Sequence, residues 1–180
     1  MSHIISFMGA PGVGKSYLAT RLVERTGFFF FDRDLIYDHV FKDDRESEHY
    51  RAFTVPFTKS GWELAMKNAR LGASTILESP MTDVIQGKRN SSVDDSLKRA
   101  QNTDVRFSII YCVAPEHVVY EQLKKRGCAR DEPKYDAWKK FTDTFIHVPG
   151  PLYDHLRIDT TWPADQNLEE ITSYIFSEQR

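Results

Sequence analysis

Eight consecutive residues carry the most specific chemistry in the chain. Gly9-Ala10-Pro11-Gly12-Val13-Gly14-Lys15-Ser16 fits the spacing G-x-x-x-x-G-K-[ST]. Glycines at those positions let the backbone fold into a nest of N–H donors, and a helix that opens at the end of the run aims its positive dipole end into the nest. Such a cradle holds the phosphates of a nucleotide. Lys15 is expected to reach the β- and γ-phosphate oxygens and the Ser16 hydroxyl to ligate Mg²⁺, with Gly9 through Tyr17 as the cofactor-binding segment and ATP as the cofactor.

Carboxylates and cations elsewhere complete a candidate phosphoryl-transfer site. Asp34 is the expected base for an acceptor hydroxyl, with Asp32 as the competing choice and a helix N-cap as the structural alternative for Asp34. Glu78 ends an apolar run and is expected near metal-bound water or the acceptor, against the alternative of an ordinary solvent-facing carboxylate. Arg33 is expected to bind an acceptor phosphate. In the basic stretch Lys124-Lys125-Arg126, followed by Arg130 and Lys134, the arginines suit a lid that grips phosphate oxygens in pairs. A plain cationic helix end would account for Lys124 and Lys125 but not for Arg130, beyond the stop at Gly127.

These residues need elements to hold them. Apolar runs at Ile4–Met8, Phe28–Phe31, Ser74–Leu77, Val105–Val113 and Leu156–Asp159 predict about five strands, and helical spacing recurs between them. Leu18, Leu22 and Val23 follow the glycine loop and stop at Gly27; Leu35 to Phe41 winds into a helix. Trp62, Ala65, Met66 and Ala69 share one helical face. Further helices carry Val93, Leu97 and Ala100, then Val119 and Leu123 after Pro115, then Trp138, Phe141 and Phe145, and last Leu168, Ile171 and Ile175. The charged stretch Lys42–Arg51 is read as solvated, and Cys128–Lys134 as polar and mobile. Alternation of strands and helices predicts an α/β three-layer sandwich with a parallel sheet.

Composition bounds the rest. At 180 residues the expectation is one domain, 1–180, with a lid near 126–136. A formal charge of −2 argues against nucleic-acid binding driven by bulk charge. Lys88-Arg89 and Lys98-Arg99 are the stripe that would carry such binding locally. No apolar run reaches the ~18–20 residues of a membrane helix. Two cysteines, Cys112 and Cys128, and an N-terminus unlike a signal peptide lead to an expectation of the cytoplasm. A GTPase would need Asn-Lys-x-Asp, which the chain lacks.

With Phe7–Ser16, Arg33-Asp34, Glu78 and Lys125-Arg126-Gly127 on the page, the chain resembles the AAA-type small P-loop kinases, which include bacteriophage polynucleotide kinase and zeta-toxin-like kinases. Arg126–Asp131 with Lys134 and Trp138 resembles the lid segment of bacterial members. The resemblance implies a five-stranded parallel sheet with the phosphate-loop strand in the middle. It also implies ATP and Mg²⁺ as cofactors, and γ-phosphoryl transfer to a hydroxyl, with the Arg-Asp pair supplying the base. Where polynucleotide kinases carry a further Arg, this chain has Tyr37 and Asp38, so a nucleic-acid end is the less favoured acceptor. Two other readings stay open: a nucleoside monophosphate kinase, and a regulatory module or slow ATPase that offers Lys42–Arg51 to a partner.

Overall fold

The computed structural model describes residues 1–41, 47–101 and 103–177. β1 (Ser2–Met8) is buried along its whole length. Side chains alternate across a strand, so Ile5 and Phe7 enter one apolar layer while Ile4 and Met8 enter another. A strand apolar on both faces must lie inside a sheet covered on both sides. It does: the order is β2-β3-β1-β4-β5, every pairing is parallel, and β1 is central. The other strands are β2 (Phe29–Asp32), β3 (Thr75–Glu78), β4 (Val105–Val113) and β5 (Leu156–Asp159).

Helices supply the outer layers. On the Ile5/Phe7 face pack α1 (Lys15–Thr26) through Leu18 and Leu22, α6 (Glu116–Arg126) through Val119 and Leu123, α8 (Trp138–Phe145) through Phe141, and α9 (Ala164–Phe176) through Leu168, Ile171 and Ile175. On the Ile4/Met8 face pack α3 (Glu48–Arg70) through Trp62, Ala65, Met66 and Ala69, the short α4 (Thr82–Ile85) through Val84 and Ile85, and α5 (Ser91–Gln101) through Val93. The predicted apolar stripes are the ones that face the sheet. Two shorter helices, α2 (Arg33–Phe41) and α7 (Glu132–Asp136), lie near the C-terminal ends of the strands.

Two expectations need correction. Of the charged run Lys42–Arg51, residues 42–46 lie outside the described residues. Its last four residues are largely exposed, as a solvated stretch should be, and helical: Ser47 accepts a hydrogen bond from Tyr50 N and starts a single 23-residue helix, α3. Pro56 lies inside that helix, and because proline reads as a helix breaker the helix was read only near Trp62, although Tyr50, Phe53 and Phe57 carry the apolar spacing further back. Cys128–Lys134 is also ordered, as a 3₁₀ turn (Ala129–Asp131) leading into α7. Among the described residues no helix is long and apolar enough to cross a membrane.

Both cysteines are free. Cys112 is buried in β4, and burial pushes its thiol up to about 12, so the nucleophilic thiolate does not form at ordinary pH. A thiol reagent at pH 8 is therefore expected to label Cys128 alone in the native protein and both cysteines in denaturant, as counted by mass spectrometry.

Candidate functional site

The loop between β1 and α1 has a shape only glycine permits. Gly9 has φ +137°, and a Cβ there would stand 2.2 Å from the Cys112 carbonyl oxygen of β4. Gly12, at φ +85°, would drive a Cβ to 2.7 Å from Leu123 Cγ. Ala10 and Val13 are buried in the core, so they anchor the loop through their side chains and offer a ligand only backbone. Gly14 N-caps α1, placing the helix's first N–H groups at the cleft.

Lys15 lies inside this loop, its side chain 5% exposed. Its ammonium donates to the Ala10 carbonyl at 2.9 Å and stands 3.9 Å from Glu78 Oε1. Parallel pairing explains Glu78: β3 sets it opposite Phe7 of β1 on one side and Asp32 of β2 on the other, at the C-terminal edge of the sheet. The segment beyond is tied to the loop, with Ser79 N donating to the Phe7 carbonyl and Gly9 N to the Pro80 carbonyl. Met81 turns the chain away at φ 45°, a left-handed conformation costly for a side chain of this size. Burial holds the Lys15 ammonium below its usual pKa, an effect Glu78 opposes. Burial also raises the Glu78 carboxyl above its usual range, opposed by Lys15 and by the Ser16 hydroxyl beside it.

Glu78 Oε2 is buried without a hydrogen-bond partner among the described residues. An orphaned carboxylate oxygen next to a serine hydroxyl is a donor set that fits Mg²⁺, which takes one or two protein oxygens and completes its shell with phosphates and water.

α2 brings the next group. Asp32 Oδ1 accepts from Leu35 N at 3.1 Å, so Asp32, and not Asp34, is the helix cap. Asp34 lines the cleft from the first turn. Arg33 lies over the Tyr37 ring at 5.1 Å, with Nη1 3.5 Å from Thr58 Oγ1 and its buried Nε without a hydrogen-bond partner among the described residues. Tyr37 is itself fully buried, against Tyr50, Phe53 and Phe57 of α3, and works as packing.

Residues 126–136 close the far side. Gly127 stops α6 in the left-handed conformation. Asp131, at 0% exposure, then gathers the cations: Arg126 grips it with Nε at 2.8 Å and Nη2 at 2.7 Å, and the Lys134 ammonium bonds to it as well. Arg130 points the other way, donating to both Asp38 oxygens at 2.6 and 2.8 Å and standing 3.7 Å from Asp34.

All of this surrounds one cleft of about 670 Å³. Of the residues expected from sequence, Pro11, Gly12, Gly14 to Tyr17, Arg33, Asp34, Glu78, Arg126, Arg130 and Lys134 line it. Gly9, Ala10 and Val13 shape the loop from behind. Thr54, Thr58, Ser79, Asp83 and Asn90 also line the cleft and were missed, since isolated polar residues on helices and loops carry no motif. Asp131 and Asp38 were missed too; only the i, i+3 spacing of Asp131 to Lys134 hinted at a pair. Of the stripe Lys88-Arg89 and Lys98-Arg99, the two arginines are paired with acids: Arg89 binds Asp94 at 2.7 Å, and Arg99 binds Glu63 through two bonds of 2.7 and 3.0 Å.

A parallel α/β sheet with a glycine loop closing on a buried lysine at the head of α1 defines the P-loop class. The family model described as AAA domain matches residues 4–147, and the chain belongs to that family. No curated protein matches the sequence. Among solved structures, a provisionally assigned kinase from Chloroflexus aurantiacus is similar, at 18% identity and TM-score 0.74, covering 99% of this chain and 98% of that one. A sugar kinase from Janibacter sp. HTCC2649 follows at 18% identity and TM-score 0.66, covering 97% and 94%. The APS kinase of Mycobacterium tuberculosis, solved with AMPPNP and APS, has 16% identity and TM-score 0.58, covering 98% of each chain. At these identities the likeness concerns the fold.

Removing Asp131 leaves two cations facing each other without their common partner. Asp131→Ala is expected to destabilise the protein by roughly 3 kcal/mol in urea denaturation, the cost typical of breaking a buried pair. Hydrogen exchange is expected to rise most in residues 126–136.

Proposed function

We propose that the protein is an ATP-dependent kinase that transfers the γ-phosphoryl group to a hydroxyl of a small molecule. The observation that carries this reading is convergence: Lys15, Ser16, Glu78 and Asp34, from three different strand ends, line one cleft at the C-terminal edge of the sheet, where open α/β folds place their ligands. The pairing of Arg89 and Arg99 with local acids weakens the support for a threaded nucleic-acid strand and favours a small acceptor.

In this reading the loop amides and the N-terminus of α1 bind the β- and γ-phosphates, and Lys15 exchanges the Ala10 carbonyl for a phosphate oxygen. Ser16 and Glu78 hold Mg²⁺, which supplies charge neutralisation of the triphosphate when bound. Asp34 accepts the acceptor's proton as its oxygen bonds to the γ-phosphorus; the β–γ bridging bond breaks and its electron pair leaves on ADP. Arg33, braced on Tyr37, binds an anionic group of the acceptor. Residues 126–136 act as the lid of a single domain, with Arg126 and Arg130 stabilising the transferring group. Two unpaired cysteines suit a reducing cytoplasm.

The test is purified protein with ATP, Mg²⁺ and a panel of polyols, sugar acids, nucleosides, nucleoside monophosphates and a 5′-hydroxyl oligonucleotide. Lys15→Ala is expected to abolish ATP binding in calorimetry. Asp34→Asn is expected to retain ATP binding and lose roughly 10²–10⁴-fold in transfer, the range for general-base catalysis. Transfer to a monophosphate alone would instead establish a nucleoside monophosphate kinase, and ATP binding with no acceptor-stimulated turnover a regulatory module. Arg33→Met is expected to raise KM for the acceptor while leaving KM for ATP within about twofold, because it removes binding energy shared by ground and transition states.

A further inference from the structure

Arg130 is engaged on the acceptor side of the cleft. Its Nη1 is taken by both oxygens of Asp38, and its Nη2 stands 3.7 Å from Asp34 Oδ2, on a helix 92 residues earlier in the chain. The Arg130 side chain is 14% exposed while Asp38 is 47% exposed, so the pair is partly open to solvent and can be broken at modest cost. The backbone behind it is secured as well: Lys134 donates to the Arg130 carbonyl at 3.1 Å and also bonds to the buried Asp131. With that anchor in place, moving the Arg130 charge toward the phosphate loop breaks the contacts with α2 and leaves the Asp131 cluster intact.

We propose that Asp38 is a positioning residue that latches Arg130 to α2, so that ATP must compete with Asp38 for this cation. The proposal rests on the kinase reading. A bidentate carboxylate neutralises the guanidinium, and a triphosphate gains from Arg130 only what remains after that pair is broken. While latched, Arg130 also lies against Asp34. Water in the cleft then meets a lid cation already neutralised and a base already engaged, which restrains hydrolysis of ATP before an acceptor arrives. In that side reaction a water oxygen bonds to the γ-phosphorus, the β–γ bridging bond breaks with its electron pair leaving on ADP, and the water proton passes to Asp34 or solvent.

The test needs no acceptor. Binding of a non-hydrolysable ATP analogue with Mg²⁺ is measured by calorimetry, and phosphate release from ATP is followed alongside. Asp38→Asn is expected to tighten analogue binding by about 3- to 10-fold, on the scale of partly exposed charge pairs, and to raise acceptor-free hydrolysis. Asp38→Ser serves the same purpose should the amide disturb folding. Asp38→Glu, which keeps the carboxylate, is expected to restore the original affinity. In an Arg130→Ala background the Asp38 substitution is expected to change nothing, since non-additivity marks an effect that runs through the pair. Equal or weaker binding by Asp38→Asn and Asp38→Ser, or a tightening that persists without Arg130, overturns the latch while leaving the kinase reading intact. Failure of the unsubstituted protein to bind the analogue overturns both.

Discussion

The Lys15 ammonium and the Glu78 carboxylate face each other at 3.9 Å across the seam between β1 and β3, both nearly out of solvent. Neither charge could stay there alone, because an unpaired ion in such surroundings costs several kcal/mol. The pair therefore demands that the loop after β1 and the end of β3 keep their relative positions. Parallel register provides this, and so do the hydrogen bonds that tie Gly9 to Pro80 and Ser79 to Phe7. The left-handed Met81 is the local cost of turning β3 away from the loop while Glu78 stays in place. Burial disfavours both charges, and each is held in place by the other.

A second set of charges divides the cleft. Asp131 collects Arg126 and Lys134 into one cluster, which gives residues 126–136 a fixed centre despite few apolar side chains. Arg130 leaves that cluster and reaches α2, so the same short segment touches α2 and lines the cleft that the glycine loop also lines. Coupling between two ligand sites requires an element that both can bias, and Arg130 is placed to be one.

How far the chain could be read follows from the range of the signals. The glycine loop, the five strands and the helices with apolar stripes were legible, since each declares itself within about a dozen residues through steric permission or periodicity. The N-terminal half of α3 was not, because Pro56 reads as a helix breaker, while packing of Tyr50, Phe53 and Phe57 against Tyr37 sustains the helix through it. The turn and helix at 129–136 were hidden likewise, being held by an ion cluster and not by an apolar face. Asp32 and Asp34 competed as base in the sequence; one hydrogen bond to Leu35 N decides which of them caps α2.

The amino-acid sequence by itself determined the α/β layering and the phosphate-loop spacing with its lysine and serine. Those depend on backbone sterics and on the burial of apolar faces, and both are local properties. Only the tertiary structure decided that Glu78 would sit against Lys15 and that Arg130 would reach Asp38. A charge finds its partner wherever folding brings opposite sign into a sheltered place. Separations of 63 and 92 residues carry no trace of that in the chain.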